Sequence, residues 1–161
     1  MNKTISRVAG LTAALLLTPL LGAPAGAGPL PDGGVTREEV AAVLKEQGFE
    51  NKITDGQDGE RRINSTFEGT KFGVYFFDCD GSRCGSIQLS AGFGKKGLAA
   101  KLADWNRDKR FGRAYLDKVG DPWVEMDVDV QHGATTEAIA NDLERWKALL
   151  AEFRTYIGFK Q

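Results

Sequence analysis

The sequence predicts an α+β domain in which helices lie on an antiparallel sheet. Its elements follow in the order helix, three to four strands, helix, two strands, helix, or α-β(3-4)-α-β-β-α. The strands are short and separated by turn signals, a pattern typical of an antiparallel meander. Because 161 residues are an ordinary length for one domain, we expect a single domain.

The first 27 residues predict a cleavable signal peptide that exports the protein to the periplasm or the cell exterior. Lys3 and Arg7 form a positive start. Residues 8–21 form an apolar stretch too short to span a bilayer comfortably, which takes about 20 residues. Cleavage is expected after Ala27, with cleavage after Ala25 as the alternative. A retained membrane anchor is the competing interpretation, and the Gly, Pro and Ala residues that follow the stretch disfavour it.

The mature protein is expected to begin with a flexible lead-in at residues 28–34, followed by the folded domain at residues 35–159. Processing removes two cationic residues and no acidic one, so the net charge changes from −1 to −3. A negative chain is a poor match for nucleic acid or an anionic membrane surface, because both attract positive charge. We therefore expect neither partner, and no stable membrane anchor after processing.

Cys79 and Cys84 are the only cysteines of the sequence, and they predict one disulfide in an oxidising compartment. The residues between them begin with Asp80-Gly81, a strong turn signal. A hairpin with this turn places the cysteines opposite each other on paired strands. A catalytic redox pair is the alternative, but such pairs usually have two intervening residues at the start of a helix.

The first half of the domain is predicted to be one helix followed by strands. Thr36 and Glu39 have the spacing of a capping box, and Gly48 suits the end of that helix. Strands are expected at 51–54, 62–67, 71–78 and 86–91. The third is apolar on both faces, since Tyr75 and Phe77 alternate with other apolar residues. Such a pattern predicts a central strand covered on both sides.

The second half adds a helix at 98–106, strands at 114–116 and 123–130, and a long C-terminal helix that Thr135 or Thr136 caps. Acidic residues alternate with apolar ones along the last strand, so that Glu125, Asp127 and Asp129 are expected on a solvated face. The apolar residues of the last helix form a narrow seam: Ile139, Leu143, Trp146, Leu150, Phe153 and Ile157. We expect this seam to be buried within one chain. Pairing of two chains into a homodimer is the competing interpretation.

Motifs for catalysis, cofactor binding or metal binding are not recognised in the sequence. Asp78 could begin a calcium loop, but the twelfth position is Leu89, where a Glu is needed. His132 is the only histidine, so a typical zinc site lacks a second imidazole. The sequence therefore predicts a protein without catalytic residues, a cofactor or a metal.

A set of short motifs resembles the YbjN domain family, also called bacterial sensory transduction regulators. The resemblance covers nearly all of the mature chain and implies a fold similar to type III secretion chaperones, but it implies little about chemistry. The motifs are Phe77-Asp78-Cys79-Asp80, Cys84, Trp105-Asn106, Lys109-Arg110-Phe111, Tyr115-Leu116-Asp117, Gly120-Asp121-Pro122 and Asp127-Val128-Asp129.

The resemblance and the lack of a catalytic set predict a non-enzymatic, chaperone-like module that binds a protein or peptide. The candidate binding surface consists of Trp105, Asn106, Arg110, Tyr115, Asp117, Trp123, Asp127 and Asp129. The alternative is a small-ligand sensor or enzyme that uses the Trp105–Asp117 segment. It requires a deep polar pocket that holds both Arg110 and Asp117. The basic residues of this segment are expected either to form ion pairs within the domain or to bind an anion: Arg107, Lys109, Arg110 and Arg113.

Overall fold

The computed structural model describes residues 28–56 and 59–160, and the predicted signal peptide lies outside them. Within these residues the chain forms three helices and a sheet of six antiparallel strands, which confirms the predicted α+β class. No helix in this part is long and apolar enough to cross a membrane. In chain order the elements are α1 (Arg37–Glu46), β1 (Glu50–Asp55), β2 (Arg61–Phe67), β3 (Thr70–Asp80), β4 (Arg83–Gly92), α2 (Ala99–Asp108), β5 (Arg113–Leu116), β6 (Pro122–Asp129) and α3 (Thr136–Ile157).

The sheet has the strand order β1-β2-β3-β4-β6-β5, and neighbouring strands are antiparallel. One row of paired residues crosses it from Ile63 through Val74 and Leu89 to Met126, and all four are buried. α1 packs on β1 and β2, α2 on β5, and α3 on β6. We call the face beneath these helices the inner face and the opposite one the open face.

β3 is central in the strand order, but the expectation that both of its faces are covered is wrong. Phe72, Val74 and Phe76 point to the inner face and are buried. Tyr75 and Phe77 point to the open face, where Phe77 is 46% exposed. The described helices all pack on the inner face, so these two aromatic side chains have no layer of secondary structure above them.

The C-terminal helix α3 forms the centre of the core, as its apolar seam predicts. All of the seam residues are buried within the single chain, together with Leu149. Trp146 packs against Phe72 of the inner face with ring centroids 5.8 Å apart, and Phe153 packs against Trp105 at 4.9 Å. The seam therefore joins the sheet to α2 within one molecule.

The predicted capping box of α1 is confirmed. The Glu39 amide donates to the Thr36 hydroxyl at 3.2 Å, and the Thr36 amide donates to the Glu39 carboxylate at 2.8 Å. Gly48 follows the helix with φ of 80°, in the left-handed region that glycine adopts without strain. These local signals set both ends of the helix.

Residues 28–34, for which we predict a flexible lead-in, are hydrogen-bonded to the domain. The Leu30 amide donates to the Ala134 carbonyl at 2.9 Å. Next to this segment, Val35 and Cys84 exchange backbone hydrogen bonds of 2.9 and 2.8 Å. β6 pairs with β4 only from Ser86 onward, and Val35 pairs with β4 at Cys84, just beyond that point. Residues 28–34 therefore lie along the end of the sheet.

Cys79 and Cys84 form a disulfide across the β3–β4 turn, with the sulfurs 2.10 Å apart. The two residues are directly paired in the sheet, as the hairpin interpretation predicts. Cys84 is fully buried and Cys79 is exposed. The bridge therefore ties the tip of the longest hairpin to the point where the N-terminal segment meets the sheet.

Replacing both cysteines with serine is expected to lower the free energy of unfolding by roughly 2 kcal/mol, because the bridge closes only a short loop. Chemical denaturation of the variant and the wild type measures this loss. Thiol labelling of exported protein without reductant is expected to find no free thiol. An unchanged stability together with loss of partner binding would instead indicate a redox role for the pair.

Candidate functional site

A groove with a volume of about 790 Å³ lies on the open face of the sheet. Its floor contains Gly73 of β3 and Gly92 of β4, which lack side chains above the sheet. Glycine within a strand often marks a place where another group approaches the backbone closely. Here the approaching groups are aromatic rings.

Tyr75 and Trp123 lie over the two glycines. A methyl group on Gly73 would come within 2.7 Å of Tyr75 Cε2, and one on Gly92 would come within 2.5 Å of Trp123 Cε2. Trp123 pairs with Gly92 across β4 and β6, so its ring covers the neighbouring strand. Both rings are half-buried, with one side against the sheet and the remaining surface available to the groove.

Asp117 holds the Trp123 ring in place. The indole Nε1 donates to Asp117 Oδ2 at 3.3 Å, while the amides of Val119 and Asp121 donate to Oδ1 at 3.0 and 2.8 Å. The hydrogen bond from the Asp121 amide, with those from Trp123 and Val119, lowers the pKa of Asp117 below its ordinary value of 3.8. The carboxylate is therefore charged at neutral pH and fixes both the β5–β6 turn and the ring.

Acid is expected to release Trp123 through protonation of Asp117. Because the folded protein lowers the pKa of Asp117, its contribution to stability is complete above the unfolded value of 3.8 and is lost as pH falls below it. Acrylamide quenching of Trp123 should therefore rise only as the pH falls below 3.8 and through the lowered pKa of Asp117 in the folded protein. Asp117→Asn should show raised quenching already at neutral pH and a smaller acid transition. An identical acid transition in this variant would assign the change to other carboxylates.

Glu125 occupies the middle of the β4–β6–β5 part of the open face, but its expected solvation is wrong. It is only 6% exposed, because Arg113 and Ser90 flank it on the paired strands and Tyr115 covers it. Its carboxylate accepts hydrogen bonds of 2.6 Å from both Arg113 and the Tyr115 hydroxyl. Burial, and then this hydrogen bond, raise the pKa of Tyr115 well above its usual range, so the phenol stays a neutral donor.

The opposite side of the groove is basic. Lys52 of β1 and Lys71 of β3 line it, on either side of Asn64 of β2. Both lysines are exposed. The groove thus combines an aromatic wall, Tyr75 of β3 and Trp123 of β6, with a cationic wall at β1 and β3.

The structure brings only part of the predicted binding surface to this face. Tyr115 and Trp123 lie on it, and Asp117 stands at its edge. Asp127 and Asp129 also point to the open face, where Asp127 accepts a hydrogen bond of 2.7 Å from Gln88. These five residues share one surface, but of them only Asp117 and Trp123 line the groove.

The remaining predicted surface residues lie elsewhere. Trp105 is completely buried and packs against Phe153, so its expected place on a surface is wrong. Asn106 is exposed, but its side chain exchanges hydrogen bonds of 2.8 Å with both backbone groups of Ala114. These bonds occupy backbone groups at the outer edge of β5 that would otherwise be open to another strand. Arg110 is exposed and lies over the ring of Phe111 at 4.8 Å.

The basic residues near Arg110 mostly form ion pairs within the domain, as one of the two interpretations predicts. Arg107 contacts Asp104 and Asp108, each at 2.8 Å. The other two pairs, at 2.5 and 2.6 Å, are Lys109–Glu152 and Arg113–Glu125. The cluster therefore supports the fold more than it forms an anion site.

The sequence interpretation missed Gly73, Gly92, Lys52 and Lys71 as parts of a site. Gly73, isolated within the predicted strand 71–78, was a usable signal, because such glycines often mark a close approach, whereas Gly92 lies just beyond the predicted strand 86–91. The lysines gave no such signal, since they are far apart in the sequence and meet only through the pairing of β1, β2 and β3. Among the described residues, no group of histidine, cysteine and acidic side chains could hold a metal ion.

Comparison with known proteins identifies the family. The family model YbjN, described as "Putative bacterial sensory transduction regulator", matches residues 36–159. No curated protein matches the sequence significantly. The match spans more than half of the chain and includes every described helix and strand. The chain therefore belongs to the YbjN family.

Proposed function

We propose that this protein is an exported, non-enzymatic and chaperone-like binding module that holds a protein or peptide partner of the cell envelope in its open-face groove. The observation that carries the proposal is the preformed aromatic wall, in which Tyr75 and Trp123 lie over Gly73 and Gly92. Aromatic side chains are enriched at protein interfaces because they bury a large area at a small entropic cost. Binding sites are also commonly formed before the ligand arrives.

The shape of the site favours a polypeptide. The groove crosses β1, β2, β3, β4 and β6 along an uncovered sheet face, and it is bordered by polar side chains such as Asn64 and Ser90. An extended peptide offers backbone groups to such a border and side chains to the aromatic wall. The hydrogen bond from Trp123 to Asp117 fixes the wall beforehand, which reduces the cost of ordering it on binding.

The test compares a groove variant with a matched surface variant. Tyr75→Ala combined with Trp123→Ala removes the aromatic wall. Phe111→Ala removes an aromatic ring that is 57% exposed and contacts Arg145 of α3, away from the groove. Immobilised wild type and both variants are incubated with envelope extract, and the bound proteins are quantified by mass spectrometry. A partner bound by the wild type and by Phe111→Ala, but lost from the groove variant, is the expected result.

Equal recovery of every bound protein by all three forms would contradict the proposal. Circular dichroism of each form ensures that a lost partner does not reflect unfolding. A purified partner then allows a dissociation constant to be measured for the same three forms. We expect the groove variant to weaken binding at least about tenfold, which corresponds to roughly 1.4 kcal/mol.

Export is part of the proposal and has its own test. The signal-peptide pattern supports it, and cleavage after Ala27 would start the mature chain at Gly28. Gly28 already forms hydrogen bonds with Thr136 at the start of α3, at 3.1 and 3.2 Å. The intact mass of the protein recovered from an export host should correspond to a start at Gly28. An unprocessed mass would show that the segment is retained as an anchor.

A small-ligand sensor or enzyme that uses the Trp105–Asp117 segment is the other candidate function. It needs Arg110 and Asp117 in one polar pocket. Asp117 lines the groove, whereas Arg110 lies over Phe111 and does not line it. This separation favours the binding module over the sensor.

A further inference from the structure

Charge is unevenly distributed across the open face. The part formed by β1, β2 and β3 carries Lys52, Arg62 and Lys71, with Glu50 as an acidic neighbour. The part formed by β6 carries acidic residues instead: Glu125, Asp127 and Asp129. The acidic residues that line the groove itself are Asp117 and Asp121, so a ligand lying across it meets Lys52 and Lys71 at one end and these carboxylates at the other.

The carboxylates at the acidic end of the groove, and Glu125 beside them, already have partners within the domain. Glu125 pairs with Arg113 at 2.6 Å, and Asp121 at the edge of the groove pairs with Lys96 at 2.6 Å. Asp117 accepts the hydrogen bond from Trp123 at 3.3 Å. These carboxylates have little capacity left for a cationic ligand.

The basic part is available. In residues 28–56 and 59–160, no ion pair joins Lys52 or Lys71 to an acidic side chain, although Glu50 lies in the same part of the groove. Arg62 has a long contact of 3.9 Å with Glu60 and donates a hydrogen bond of 3.4 Å to the Thr54 hydroxyl. The cationic wall thus has an excess of positive charge that the domain itself does not neutralise.

We infer that the groove selects an acidic peptide segment, whose carboxylates lie against Lys52 and Lys71 and whose apolar or aromatic side chains pack on Tyr75 and Trp123. This inference rests on the proposed function and names the chemistry of its partner. Charge complementarity at an interface gives specificity and faster association, and cationic walls favour anionic partners.

The spacing of the lysines suits an extended chain. Lys52 and Lys71 are two strands apart and offset by one pleat, so their Cα atoms are roughly 12 Å apart. Alternate residues of an extended peptide lie about 7 Å apart on the same side. Two acidic residues in alternate positions therefore come within reach of the two long lysine side chains.

The experiment uses two synthetic peptides, acetylated and amidated, that differ only in charge. The acidic probe is Glu-Ser-Glu-Ser-Phe-Ser-Phe, which places two carboxylates and two rings on one side of an extended chain. The basic probe has lysine in place of glutamate. Neither contains tryptophan, so the Trp123 indole N–H resonance of the labelled full-length mature protein reports binding. A Trp123→Phe variant identifies that resonance among the three tryptophans of the sequence.

We expect the acidic probe to shift the Trp123 resonance with a dissociation constant at least about tenfold lower than that of the basic probe at low ionic strength. The difference should shrink as salt is added, because exposed charges are screened. Lys52→Glu combined with Lys71→Glu should abolish or reverse the preference. Lys45→Glu combined with Lys160→Glu makes the same change in net charge at exposed sites outside the groove, and should preserve the preference.

Each result separates the inference from the proposed function. Equal binding of both probes, or preference for the basic one, overturns the acidic partner and leaves a peptide-binding groove. A preference that survives in Lys52→Glu with Lys71→Glu also overturns it. If neither probe shifts the Trp123 resonance, the peptide-binding function fails and the inference fails with it. A resonance that instead shifts with protein concentration alone would assign the groove to a second copy of this chain.

Discussion

Replacing Trp146 with alanine is expected to lower the free energy of unfolding by roughly 3–5 kcal/mol. The indole is fully buried and lies between α3 and Phe72 of the inner face, at 5.8 Å between ring centroids. Truncation leaves a large cavity at the contact that holds the helix to the sheet. Because a domain of this size is typically stable by only about 5–15 kcal/mol, the loss is a large fraction of the total.

A matched control for this prediction is Trp123→Ala. It makes the same chemical change on the open face, where the ring is half-buried and none of the described helices packs over it. We expect a clearly smaller loss of stability, measured for both variants by chemical denaturation followed by circular dichroism. Equal losses would show that burial of the α3 seam is not what makes position 146 important.

Sedimentation of the wild type and of Trp146→Ala tests the competing interpretation of the seam, in which it pairs two chains into a homodimer. Since the seam residues are buried within one chain, Trp146→Ala should change stability without changing the association state. A wild-type dimer that becomes a well-folded monomer on substitution would contradict this. That result would mean that the seam pairs two helices from different chains. The seam residues recur in alternating steps of four and three residues, as in a coiled coil.

The sequence predicted best where the determining signals are local. Thr36 and Glu39 are three residues apart, and they form the expected capping box. Cys79 and Cys84 flank a short turn, so their pairing follows from the hairpin alone. The spacing of apolar residues in α3 also showed which side of that helix is buried.

Prediction failed where a side chain's environment depends on distant strands. The apolar pattern of β3 does not show that the helices pack on one face only, so Tyr75 and Phe77 were expected to be covered. The acidic pattern of β6 does not show that Arg113 and Tyr115 flank Glu125 and remove it from solvent. The motif around Trp105 likewise could not indicate whether its ring points into the core.

The composition of the groove was not predicted for the same reason. Its aromatic wall requires Gly92 to lie beside Trp123, two residues that meet only because β4 and β6 pair across the α2 and β5 segments. The sequence did mark Trp123 and Asp117 as candidates, and Asp117 belongs to a motif of the family resemblance. It did not show that the two side chains are hydrogen-bonded or that a glycine lies beneath the ring.

Gly92→Ala is expected to weaken binding in the groove while leaving the domain folded. A methyl group at this position would lie 2.5, 2.6 and 2.9 Å from carbon atoms of the Trp123 ring, which is closer than real contacts allow. The backbone of Gly92 is not in the left-handed region, so alanine causes no strain of its own. The ring must therefore move, and its hydrogen bond to Asp117 must lengthen or break.

Gly94→Ala is the matched control for this substitution. Gly94 also lines the groove, but a methyl group there would meet no atom within 4 Å, and its backbone is likewise outside the left-handed region. Indole N–H spectra and titration with the acidic probe compare the two variants with the wild type. We expect Gly92→Ala to shift the Trp123 resonance and weaken binding at least about tenfold, roughly 1.4 kcal/mol. Gly94→Ala should change neither, and a Gly92→Ala protein with a displaced ring and undiminished binding would show that the aromatic wall does not contact the ligand.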